Sequence, residues 1–153
     1  MRGDSARPVF FIDTNIFLRT IVQDKNRKQI EEAKVFLELV RSEDIRAVTS
    51  NLVLAEVNWV LSSTYGLSKR AIIPYLAGIV SLKNLRFDDT CNPAQALRLW
   101  SIYSIKFVDC LLVSHSRLLQ GEMIMVSYDK EFDRIEGVIR KEPYEIVKNI
   151  RKI

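Results

Sequence analysis

At 153 residues the chain has the length of one domain with a single core, and 48% apolar against 27% charged residues excludes an intrinsically disordered composition. The formal net charge of +4 and a pI near 9.1 suit a polyanionic partner. Cys91 and Cys110 form no C-x-x-C pair and read as reduced packing residues. No apolar run approaches the roughly eighteen residues of a membrane span, and Met1-Arg-Gly-Asp-Ser-Ala-Arg-Pro8 lacks the apolar centre of a signal peptide, so a cytoplasmic location is expected.

From Val9 onward, apolar β-branched and aromatic runs alternate with helical patterns, which predicts an α/β fold with a mainly parallel sheet covered by helices on both faces. The first strand runs from Val9 to Asp13, and a short helix follows from Asn15 to Val22. Ile30, Ala33, Val35, Phe36, Leu37, Leu39 and Val40 recur at near-helical spacing between Arg27 and Arg41. A strand from Ile45 to Thr49 then leads into a helix from Asn51 to Tyr65 that stops at Gly66. Ser68 caps a helix from Lys69 to Leu82 that contains Pro74, and a short strand is expected over Leu85 to Phe87. Asn92-Pro93 opens a fifth helix through Tyr103, since proline suits the first helical turn. A sixth runs from Phe107 to Leu119, then a strand from Met123 to Val126 and a last short strand near Gly137 to Ile139. Residues 1–8 read as an N-terminal extension, residues 9–140 as the domain, and residues 141–153 as a basic C-terminal segment whose end, Lys148 to Ile153, reads as a solvated tail.

Four acids stand where this fold has to account for them. Asp13 closes Val9-Phe-Phe-Ile12 and Asp129 follows Met123-Ile-Met-Val-Ser-Tyr128, which places both beyond the carboxyl ends of buried strands, where open parallel sheets bind ligands. Glu56 has Leu52, Val53, Trp59 and Val60 three and four positions away on its own helix, so burial is expected. Asp109 lies in the first turn of its helix between Phe107, Val108, Leu111 and Leu112. Each acid alone has a plain structural reading: a helix cap for Asp13 or Asp129, a buried ion pair for Glu56, a dipole contact for Asp109. Asp133 is the alternative to Asp129, which lies nearer the strand end; Phe132 anchors the turn between them. Together they describe one acidic pocket, and oxygen-only ligands select a hard cation, Mg2+ or Mn2+, over zinc. Two such ions can clamp the attacking and leaving oxygens of a phosphodiester.

Other conspicuous residues carry plainer readings. His115 has no acid at useful spacing and reads as structural, Trp59 and Trp100 as core. Lys69, Arg70, Lys106, Arg117 and Lys130 are candidates for an RNA path, with solvated charge as the default. An aspartyl phosphatase would want a second Asp where Asn15 stands, and a phosphoacceptor receiver has no use for Glu56 in mid-helix.

The ordered runs Phe11-Ile-Asp13-Thr-Asn15, Ser50-Asn-Leu-Val-Leu-Ala-Glu56, Asp109-Cys-Leu-Leu112 and Val126-Ser-Tyr-Asp129-Lys-Glu-Phe132 resemble the PIN (PilT N-terminal) domain, especially the VapC-like toxin ribonucleases, across residues 9–140. The resemblance implies a three-layer α/β/α sandwich on a sheet of four or five strands, and an Mg2+-dependent endoribonuclease whose products carry a 5′-phosphate. It carries metal binding and catalysis onto Asp13, Glu56, Asp109 and Asp129, with Asn15 and Ser127 as supporting polar groups. It further implies RNA as substrate, a homodimer, and a small antitoxin protein as partner. A housekeeping RNA-processing nuclease and a non-catalytic scaffold of the same fold are the alternatives.

Overall fold

The computed structural model describes residues 7–23 and 26–151. Most of the expected extension, residues 1–6, lies outside them. Five strands, β1 (Val9–Ile12), β2 (Arg46–Thr49), β3 (Leu85–Phe87), β4 (Met123–Val126) and β5 (Arg140–Lys141), form one all-parallel sheet in the order β3-β2-β1-β4-β5. The chain leaves β1 toward β2 and later returns to β4 on its other side, so the topological switch point lies between β1 and β4.

The central strands are continuous apolar runs because both of their faces are covered. Side chains alternate across the sheet: Phe10 packs edge-on against Phe36 of α2 (Arg27–Arg41), with ring centroids 6.3 Å apart, while Phe11 lines the opposite face with Leu111 and Leu112 of α6 (Phe107–Val113). Three layers follow from that alternation. The remaining helices are α1 (Thr14–Ile21), α3 (Asn51–Ser63), α4 (Lys69–Val80), α5 (Pro93–Ile102), α7 (Ser116–Leu119) and α8 (Pro143–Ile150), with a 3-10 turn over Lys130–Arg134. Asn26, Ser50, Ser68 and Asn92 each accept a backbone N–H in the first turn of α2, α3, α4 and α5. No helix among the described residues is long and apolar enough to cross a membrane.

Several expectations need correction. The helix expected from Phe107 to Leu119 is two, because His115 leaves helical geometry and its Nδ1 accepts the Arg117 N–H at 3.2 Å, capping α7. His115 does have an acidic partner: Nε2 lies 2.8 Å from Asp88 Oδ2, tying the loop after β3 to the α6–α7 junction. The last strand lies beyond Gly137, whose φ of +88° and whose approach to the Leu119 carbonyl, 2.0 Å from an added Cβ, make it a turn residue. The C-terminal segment forms a helix rather than a loose tail as far as Ile150: α8 packs on α2, with Ile146 buried and Lys28 Nζ 5.4 Å from the centre of the Tyr144 ring, while Lys148 and Asn149 are exposed and residues 152–153 of the expected tail lie outside the described residues. Trp59 and Trp100 are not core either, at 65% and 53% exposure. Cys91 is exposed whereas Cys110 is buried.

Candidate active site

The end of β1 and the end of β4 are stitched together by short polar side chains. Ser127 Oγ donates to Asp13 Oδ2 at 2.7 Å and accepts from Asn15 Nδ2 at 2.9 Å and from the Asp129 N–H at 3.0 Å. Asn15 Oδ1 accepts the Tyr128 N–H at 3.1 Å, and its amide also reaches Asp13 Oδ2 at 3.3 Å. Asp13 Oδ1 accepts the Thr14 N–H at 2.8 Å, the capping role that its position at the start of α1 allows. A hydroxyl with one donor and two acceptor contacts used has little freedom left, so Ser127 fixes the Asp13 carboxylate in orientation. Behind it, Arg140 Nη1 donates to the Ser127 carbonyl at 2.9 Å.

Asp109, two residues into α6, is buried yet accepts no hydrogen bond from any described residue. Its carboxylate, that of Asp129 and that of Glu131 each offer an oxygen, and the three oxygens lie within 4.8 Å of one another. Asp129 also caps the 3-10 turn, accepting the Glu131 N–H at 2.9 Å. Asp13 and Glu56 stand outside that closest trio but act on it through charge.

Burial pushes the Asp13 carboxyl up to about 6, against the lowering pull of its Ser127 and Thr14 hydrogen bonds and with the charges of Glu56 and Asp129 adding to the rise. Burial, then the charges of Asp13, Glu56 and Asp129, push Asp109 up to about 7, and Lys106 offsets only part of this. The four acids named from the sequence therefore share one electrostatic site, although Glu56 is half-buried rather than buried.

Glu131 is the residue that sequence reasoning missed. It lies two positions after Asp129: with Phe132 buried as the anchor, the tight turn leaves its neighbours on different sides, and nothing local says which of them meets the site. Asp133, the alternative weighed against Asp129, is occupied elsewhere. Arg140 holds it in a two-pronged pair, Nε to Oδ1 at 2.9 Å and Nη2 to Oδ2 at 3.0 Å.

The donor set is all carboxylate, and the cationic relief visible in it comes from Lys106 alone among the described residues acting on Asp13 or Asp109. Such a set fits a hard divalent cation with oxygen ligands. A doubly wound parallel sheet with acids gathered at its switch point is an architecture for binding charged ligands at the strand ends.

The PIN domain family profile matches residues 10–138, and the chain belongs to that family. No curated protein matches the sequence at a significant level. Among solved structures the chain is similar to a chain of VapBC2 from Rickettsia felis bound to a DNA fragment from their promoter. The TM-score is 0.61 at 21% identity, covering 88% of this chain and 98% of that one, which establishes a shared fold.

Proposed function

We propose that this chain is a metal-dependent endoribonuclease, the toxin half of a toxin–antitoxin pair, with Asp13, Glu56, Asp109 and Asp129 as metal-binding and catalytic acids. Glu131 joins them. The observation that carries this reading is the Asp109 carboxylate: buried, without a hydrogen-bond donor among the described residues, and within 4.8 Å of two further acids. Family membership adds to it, because PIN domains are generally nucleases. The VapBC2 neighbour supports an antitoxin partner.

Asp109, Asp129 and Glu131 would hold the ion, Mg2+ or Mn2+, and Asp13 and Glu56 would complete the negative field around it. When bound, such a cation supplies charge neutralisation for the phosphodiester and acidifies the attacking water. Asn15 and Ser127 are the supporting groups: they orient Asp13 and lock the β1 and β4 ends at fixed separation. Lys106, at the start of α6, is the positive charge that acts on Asp109, and it would offset part of the negative field met by an approaching phosphate.

Exposed apolar side chains support the homodimer and the antitoxin. Trp59, Ile73, Tyr75 and Val80 lie on α3 and α4, and Leu97, Trp100 and Ile102 on α5. Light scattering of the purified chain should give twice the monomer mass; a monomer at micromolar concentration would remove the dimer from this reading.

The test of activity is incubation of the chain with unstructured RNA, with Mg2+ or with a chelator, followed by sequencing of the fragment ends. Cleavage only with metal, leaving 5′-phosphates, is expected. Metal-independent cleavage leaving cyclic phosphates would overturn the mechanism, and no binding of Mg2+ or Mn2+ by calorimetry would favour a scaffold.

A further inference from the structure

Below the acidic rim, on the same face of the sheet, runs a groove of opposite character. Register places Val9 beside Arg46, Phe11 beside Val48, and Val48 beside Arg86, so these five side chains share one face. Over Phe11 that face is covered by α6, through Leu111 and Leu112. Toward β2 and β3 it is open, with Arg46 and Arg86 exposed. Arg7 before β1 and Arg117 of α7 complete the walls of a cavity of about 950 Å3.

The groove also contains carboxylates, but two of the three are engaged by donors of their own. Asp88 faces His115 at 2.8 Å, and Asp89 accepts the Asn51 N–H and Nδ2, both at 2.6 Å. Glu43 is the third. Guanidinium groups with planar donor forks match phosphate oxygens, and four arginines lining one groove, with Arg117 Nε 4.0 Å from Glu122 Oε2 at its edge, favour an extended polyanion over a single small anion.

Asp88 and Asp89 border a second cavity of about 350 Å3, floored by Phe11, Leu52, Leu111 and Leu112. The helices that wall it also carry two of the acids: Leu111 and Leu112 follow Asp109 on α6, and Ser50 and Asn51 lead into the helix that carries Glu56. The order along this face is arginine groove, apolar cavity, acidic rim. From Arg46 to the end of β2 the strand rises roughly 10 Å.

We infer that the arginine groove binds the phosphate backbone of single-stranded RNA flanking the cleaved bond, with an unstacked base seated in the apolar cavity between groove and acids. This rests on the ribonuclease reading. A single strand is the occupant because an apolar cavity of this size takes a splayed base, which a duplex keeps stacked. Productive substrates then extend roughly 10 Å past the reacting phosphate.

The experiment is fluorescence anisotropy of a labelled, unstructured RNA 12-mer on the full chain in chelator, across a salt series, where binding is read without cleavage. Arg86→Ala/Arg117→Ala removes one guanidinium from each wall; both side chains are exposed, and an unchanged melting curve confirms the fold. Affinity should fall roughly tenfold and the salt slope by about 1.4, the single-strand value for two phosphates. The Arg86→Lys/Arg117→Lys pair should restore most of both. Unchanged affinity and slope in the alanine pair would overturn the proposal, and so would equal or tighter, equally arginine-dependent binding of duplex DNA of the same length. Absence of cleavage in the metal assay would strike the ribonuclease reading alone, since arginine-dependent RNA binding is measured apart from it.

Discussion

Asp109→Asn is expected to abolish metal-dependent RNA cleavage, by roughly a thousandfold or more, while making the metal-free protein more stable rather than less. The two effects have one cause. Asp109 is 6% exposed and accepts no hydrogen bond from a described residue, so its charge is opposed by burial and by Asp13, Glu56 and Asp129 together. That opposition holds its carboxyl near 7. The amide keeps the shape and drops the charge, relieving on the order of 1–3 kcal/mol of repulsion at neutral pH. Without the charge the closest trio, Asp109, Asp129 and Glu131, loses its buried member and its hold on a cation. Cleavage assays together with thermal melts in chelator check both halves. Retained cleavage, or a lowered melting temperature in chelator, would contradict the assignment.

The metal-free protein should also lose stability as pH rises from 5 to 8. Asp13 and Asp109 have folded-state values of about 6 and about 7, above their ordinary value of 3.8, so the folded chain binds protons more tightly than the unfolded one. For groups shifted upward, the stabilising contribution is full below the unfolded value and is lost as pH climbs through the folded value. The window is therefore about pH 4 to 7, and the total is on the order of a few kcal/mol. Asp88 contributes with the opposite sign and outside that window. Burial raises it, but its hydrogen bonds with His115 and Thr90 bring it down to about 2, so its contribution is present above 3.8 and disappears only toward pH 2. Denaturant titrations at pH 5 and pH 8 in chelator read the effect, and millimolar Mg2+ at pH 8 should reverse most of it. Stability that rises between pH 5 and 8 in chelator would show that the acids do not repel one another as described.

The sheet was legible in the sequence because Val9-Phe-Phe-Ile12 and Met123-Ile-Met-Val126 are continuous apolar runs, the pattern of strands buried on both faces. Asp13 and Asp129 were legible for the same reason, being the first acids beyond those runs. Other features were not, for identifiable physical causes. Trp59 and Trp100 look like core residues because apolar spacing marks a face without saying whether the same chain covers it. The α8 helix was hidden by Lys148 and the basic residues that flank it, although Pro143, Ile146, Val147 and Ile150 stand at helical spacing and Glu145 reaches back to the Glu142 N–H at 2.8 Å. Glu131 was not weighed, and Asp133 stood as the alternative to Asp129, because which acid of a tight turn faces the site depends on a partner in another strand. Arg140, in β5, takes Asp133 away. The His115–Asp88 pair spans 27 residues and depends on the break between α6 and α7, which no local pattern announces.

Diffraction from crystals soaked in Mn2+ at pH 7.5, with data collected for anomalous scattering from manganese, tests the central claim most directly. The account predicts an anomalous peak at coordination distance, roughly 2.0–2.6 Å, from carboxylate oxygens of Asp109 and Asp129, with Glu131 or Asp13 beside it, and no such peak in crystals of Asp109→Asn. Well-ordered acids with no peak between them, or manganese bound only elsewhere on the surface, would contradict it.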